Sequence, residues 1–201
     1  KTIVEIPEGV DGVIFASYNT NNNVVLNVDR AYNSNVLHGK KYVACGDSFT
    51  HGDFSGVANT TDNYDYITGQ YKTYPWHIAK RNNMDFTNMA ENGTTTEDFL
   101  AIYQNIPADT DYITIAYGLN DYSNNIPIGT IDDEQPGTFM GNLNISLRWL
   151  SINRPYAHIG LIIMPAYMGN NYRTATEAVA KKYGIPVLNL YTANNVPLFM
   201  N

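Results

Sequence analysis

The sequence has one cysteine, few charges and no long apolar run, and each scarcity removes a class of explanation. A single cysteine, Cys45, excludes an internal disulfide. Its place inside an apolar stretch makes it a small core residue. Lysine and arginine number 12 against 19 acidic residues, a net charge of −7. A nucleic-acid binder needs a basic face, and this chain has too few cations to build one. No apolar run approaches the roughly 20 residues of a membrane span. The chain starts at Lys1 without an apolar signal region, so we expect a fragment or a processed product of something longer.

What is present suits a globular fold. The 201 residues, 44% of them hydrophobic, are enough for one domain with a real core and a small appendage. Charged residues make up only 15%, whereas asparagine is plentiful and tyrosine numbers 16. Such a neutral, hydrogen-bonding surface fits contact with sugars or other proteins, and an extracellular or surface-attached setting.

Residues 1–39 differ from the rest. Three short runs with β character, separated by turn-rich segments, predict a small antiparallel meander, and residues 29–39 read as a linker. From residue 40 onward apolar strands alternate with helical periodicity. Strands are predicted near residues 42–45, 84–90, 111–117, 158–164 and 185–190. Helices are predicted at 71–81, after a capping box at residues 94–97, at 139–152 and at 172–183. Residues 122–136 read as a long polar loop. Five strands separated by helices call for an α/β fold, a parallel sheet with helices on both faces. Right-handed crossovers then bring the carboxyl ends of all five strands to one edge.

Three loops leave that edge with chemistry-bearing residues. The first is Gly46-Asp47-Ser48-Phe49-Thr50, directly after the first strand. The second runs from Asn88 to Gly93 and Thr94, and the third is Gly118-Leu119-Asn120-Asp121. Acyl transfer needs a nucleophilic hydroxyl and donors aimed at a developing oxyanion. Ser48 offers the hydroxyl. The backbone N–H groups of Ser48 and Gly93 and the side-chain amide of Asn120 offer three donors. Glycine suits the second of these because the backbone can approach a ligand closely.

In order and in placement after successive strands, these three segments resemble the first three sequence blocks of the SGNH (GDSL-like) hydrolase family. The likeness covers residues 40–201. It implies a flavodoxin-like three-layer fold and a serine esterase or acylhydrolase, acting on acyl or acetyl esters of lipids, sugars or polysaccharides without a cofactor. By position Ser48 would be the nucleophile, and Gly93 and Asn120 would be the oxyanion partners, supported by Asp47 and Asp121.

The family's fourth block, Asp-x-x-His after the last strand, supplies the general base. The residues after Leu190 contain no Asp, Glu or His. His51, three residues after Ser48, lacks an evident orienting carboxylate apart from the nearby Asp53. His77 falls on a helix, His158 at the start of a strand on the opposite edge, and His38 in the linker. The expectation is therefore that the base lies outside this sequence and that the chain as written is nearly inactive. The rival is a domain that kept the pocket for binding, with Tyr64, Tyr66, Tyr71, Tyr74 and Tyr122 in or near the mouth as platforms for sugar rings. Asp47 lacks the carboxylate and histidine partners of a metal site, and Asp132, Asp133 and Glu134 read as a solvated acidic cluster.

Overall fold

The computed structural model describes residues 35–52, 58–166 and 168–192. The meander expected in the first 34 residues lies outside them. Residues 36–39 form a turn that leads into the first strand.

The strands β1 (Lys41–Gly46), β4 (Asp85–Asn88), β5 (Tyr112–Ala116), β6 (His158–Ile163) and β7 (Val187–Asn189) form one sheet in the order β4-β1-β5-β6-β7. All its pairings are parallel. Alternation of side chains builds two layers from each strand. On β1, Val43 and Cys45 join Phe99, Ile113, Ile115, Leu147 and Val179 in the main core, while Tyr42 and Ala44 meet Ala79 on the other side. The main core lies under α3 (Thr96–Ile102), α5 (Phe139–Asn153) and α6 (Asn170–Tyr183). The helix on the second face, α2 (Tyr74–Asn82), packs beneath β1 and β4.

The chain steps from β1 outward to β4 and then returns to the other side of β1 with β5. The strand order thus reverses between β1 and β5, the place where open α/β sheets form a crevice outside their carboxyl ends. Both the Ser48 loop and the Gly118 loop leave from those two strands.

Local structure departs from the sequence-based expectation in three places. The helix expected over 71–81 begins at Tyr74, because Tyr71 belongs to a small hairpin of β2 (Tyr64–Asp65) and β3 (Gln70–Tyr71) and Pro75 favours the first helical turn. Asp65 holds that hairpin: its carboxylate accepts the N–H of Ile67 at 3.0 Å and the indole N–H of Trp76 at 3.1 Å. The cap of α3 sits one residue later than expected, with Asp98 accepting from the N–H of Thr95 at 2.8 Å and its hydroxyl at 2.9 Å. Finally, the first two residues of the expected polar loop, Tyr122 and Ser123, belong to a helical turn, α4 (Leu119–Ser123).

Candidate functional site

The turn after β1 is tightly specified. Asp47 caps the one-turn helix α1 (Ser48–His51), its carboxylate accepting the Phe49 N–H at 3.0 Å. Gly46 precedes it because no side chain fits: a Cβ there would lie 2.3 Å from Thr50 Oγ1 and 2.8 Å from the Ala116 carbonyl of β5. Thr50 is fully buried, with its hydroxyl 3.2 Å from that of Tyr74, while its carbonyl accepts from Thr73 Oγ1 at 2.7 Å and Asn88 Nδ2 at 3.3 Å. Ser48 is thus presented, half-buried, by a helix clamped from below.

The three loops are joined by hydrogen bonds. The Gly46 carbonyl accepts from the Glu91 N–H at 3.1 Å and lies 3.2 Å from Thr94 Oγ1, linking the first loop to the second. Asn120 Nδ2 donates to the Thr94 carbonyl at 2.9 Å, linking the second to the third. Gly93 is exposed at φ +77, and a Cβ there would meet nothing within 4 Å. Glycine is needed at this position for backbone conformation, and the space beside it is open. Among the described residues no hydrogen bond uses the N–H of Ser48 or of Gly93.

Beneath the edge lies a buried polar chain. Asp121, fully buried, accepts from the Thr96 N–H at 3.1 Å and its hydroxyl at 2.5 Å. Asn142 of α5 donates to Thr96 Oγ1 at 3.1 Å and accepts from the Gly137 N–H at 3.0 Å. Burial pushes the Asp121 carboxyl above its ordinary range, opposed by the bonds from Thr96. Burial likewise pushes Asp47 up to about 6, opposed by the Phe49 N–H and reinforced by the neighbouring charge of Asp121. The Cys45 thiol is pushed up to about 12 by its apolar surroundings, as suits an inert core residue.

The four histidines are dispersed. His38 bonds Asn83 at 2.9 Å in the turn before β1, and exposed His158 stacks on Tyr112 at the amino end of the sheet. His77 is exposed on α2 beside Trp76. His51 shares α1 with Ser48, but its ring meets the edge of Tyr71 at 5.8 Å and its buried Nδ1 has no hydrogen-bond partner. No histidine is paired with a carboxylate among the described residues.

The tyrosines expected at the mouth divide. Tyr64 packs edge-on against both Tyr66 and Tyr71, and Tyr74 is held by Thr50. Tyr66, Phe49 and Tyr122 stay exposed, at 61%, 39% and 37%. In the acidic cluster Asp133 is an organiser, accepting from the hydroxyls of Thr130 at 2.6 Å and Thr138 at 3.0 Å, while Glu134 pairs with Arg148 at the surface. Two grooves of about 290 and 320 Å³ lie elsewhere, and neither is lined by Ser48, Gly93 or Asn120. The sequence reading missed the supports Thr50, Asn88, Thr94, Thr96 and Asn142. Thr50, Asn88 and Thr94 were visible as members of the three loops, and the threonine run at 94–96 also as a helix cap, but none of them as a support.

This five-stranded parallel sheet with helices on both faces defines a three-layer α/β architecture of the flavodoxin-like kind. The chain belongs to the GDSL-like lipase/acylhydrolase family, whose model matches residues 42–196. No match was found among curated proteins. Among solved structures it is similar to a protein from Lactobacillus plantarum, at 24% identity over 79% of this chain and 80% of that one, with a TM-score of 0.63. A Bacteroides ovatus protein described as a GDSL-like lipase aligns at 19% identity over 79% and 88% of the two chains, with a TM-score of 0.59. Phospholipase A1 from Streptomyces albidoflavus aligns at 19% identity over 77% and 81%, with a TM-score of 0.52. Among the described residues no helix is long and apolar enough to cross a membrane.

Proposed function

We propose that the edge above β1 and β5 is the acyl-transfer site of a serine ester hydrolase. Ser48 attacks the ester carbonyl, and the N–H groups of Ser48 and Gly93 with the Asn120 amide receive the oxyanion. The observation that carries this reading is the stitching of the three loops through Gly46, Thr94 and Asn120. It leaves the serine and the unspent N–H groups on neighbouring segments. Asp47 and Asp121 serve as supports, one for the nucleophile turn and the other for the Asn120 helix.

The substrate class in this reading is an acyl or acetyl ester, with sugar-linked esters favoured. Flat apolar side chains are exposed on two of the loops, Phe49 next to Ser48 on α1 and Tyr122 on α4, where Tyr122 also packs edge-on against Tyr172. A sugar ring has an apolar face that suits them. The second reading, ligand binding without turnover, draws support from His51, whose Nδ1 has no partner to orient it as a base. A serine hydrolase without its histidine loses on the order of a million-fold in turnover. We accordingly expect a polypeptide of these 201 residues alone to be slow.

The test is hydrolysis of p-nitrophenyl acetate and an acetylated sugar, with and without added imidazole as an external base, against Ser48→Ala. Imidazole-accelerated turnover that disappears in Ser48→Ala supports the esterase. Rates equal to the Ser48→Ala control under all conditions would sink it and leave binding as the leading function.

A further inference from the structure

We propose that Thr94 is the positioning residue that sets the orientation of the Asn120 amide, an inference that rests on the esterase reading for its purpose. Thr94 touches all three loops of the site. Its hydroxyl lies 2.7 Å from the Glu91 carbonyl and 3.2 Å from the Gly46 carbonyl, and its own carbonyl receives Asn120 Nδ2 at 2.9 Å. A hydroxyl carries one hydrogen, so the donation goes to Glu91, with Gly46 as the longer arm. The β-branch restricts χ1, so fixing the hydroxyl also fixes the backbone that bears it.

The consequence falls on the amide. A carbonyl can only accept, so the end of Asn120 that faces Thr94 must be its NH2 and not its oxygen. One of the two Nδ2 hydrogens is spent on Thr94, and the other is left for an incoming ester oxygen. A flipped amide would turn an acceptor toward that oxygen and repel it. Thr94 therefore selects which face of the Asn120 amide the site presents, without itself touching substrate. The backbone of the same residue follows Gly93 directly, so the two oxyanion donors outside the Ser48 turn are held by one anchor.

The test uses this chain, with Thr94→Val to remove the hydroxyl at nearly constant shape and Thr94→Ser to keep it. The readout is the side-chain Nδ2 proton pair of Asn120 by NMR, assigned by its loss in Asn120→Asp. In the wild type one proton should be shifted downfield and exchange slowly. In Thr94→Val its exchange should rise roughly five- to tenfold, the worth of one net hydrogen bond, and Thr94→Ser should restore it. If the valine variant does not fold, Thr94→Ala takes its place with the same expectation. Unchanged Asn120 protons in the valine or alanine variant, or a serine variant that behaves like valine, would overturn the proposal. Where Ser48-dependent hydrolysis is measurable, Thr94→Val should lower kcat by a similar factor with KM nearly constant. If Ser48→Ala leaves hydrolysis unaltered the esterase reading fails, and the exchange measurement still decides the role of Thr94.

Discussion

Substitution of Gly46 by alanine probes the part of the site that packing fixes most tightly. The added Cβ would lie 2.3 Å from Thr50 Oγ1, 2.9 Å from Thr50 Cβ and 2.8 Å from the Ala116 carbonyl oxygen. The carbonyl belongs to a hydrogen-bonded strand and cannot rotate aside, and Thr50 is fully buried with its hydroxyl facing Tyr74. Overpacking of this kind costs about 1–3 kcal/mol. For a chain of this size each kcal/mol lowers Tm by about 2–4 °C, so a fall of roughly 2–12 °C is expected in a circular-dichroism melt. Thr50→Ala removes the shortest of the three contacts and leaves the other two. The penalty of Gly46→Ala should therefore be smaller in that background, with a coupling of about 1 kcal/mol. An unchanged Tm in the single variant, or strictly additive losses in the double variant, would refute the clamp between β1, α1 and β5.

Substitutions at four further positions test the electrostatics and the backbone. Because burial raises the Asp47 carboxyl from the ordinary 3.8 to about 6, the native state holds this proton more tightly than the unfolded chain. Stability should then rise as pH falls through that window, the reverse of a salt-bridged aspartate. Asp47→Asn, which can still accept the Phe49 N–H, should flatten the rise and gain on the order of 3 kcal/mol at pH 7. Asp121, shifted in the same direction, leaves a residual slope, and urea titrations at pH 4.5 and 7 check both points. Asp121→Ala strands the buried N–H and hydroxyl of Thr96 and should cost about 3 kcal/mol by urea titration, with Asp121→Asn costing less. Gly93→Ala meets no neighbour and should cost only the left-handed backbone, about 1–2 kcal/mol. Gly118→Ala, at φ +128 with Met168 Cε 2.2 Å from the added carbon, should cost more in the same titration.

The fold was largely legible because its strands are apolar runs bounded by turn residues, and the β1 to β7 alternation leaves few topologies open. Ser48, Gly93 and Asn120 stood out because each lies in a loop that leaves the carboxyl end of a strand, and their catalytic roles are part of the proposal. Supports such as Thr94 and Thr96 were not legible: threonine in a cap looks the same whether it serves the helix or a distant loop. The hairpin at residues 64–71 escaped because its strands are two residues each and rest on one side chain, Asp65, whose partner Trp76 lies outside the turn. The start of α2 was misplaced for a related reason, since Tyr71 continues a helical apolar pattern while pairing with Tyr64 in the hairpin.

The central claim is that Ser48 is a nucleophile served by the Asn120 amide, and the most direct measurement is peptide-level mass spectrometry after incubation with p-nitrophenyl acetate. In the base-free site we propose, the activated p-nitrophenyl ester acylates Ser48 faster than the resulting alkyl ester is hydrolysed, so a single acetyl group should accumulate on Ser48 and be strongly diminished in Asn120→Ala. Acetyl groups found only on lysines or tyrosines, or on Ser48 to the same extent in Asn120→Ala, would contradict it.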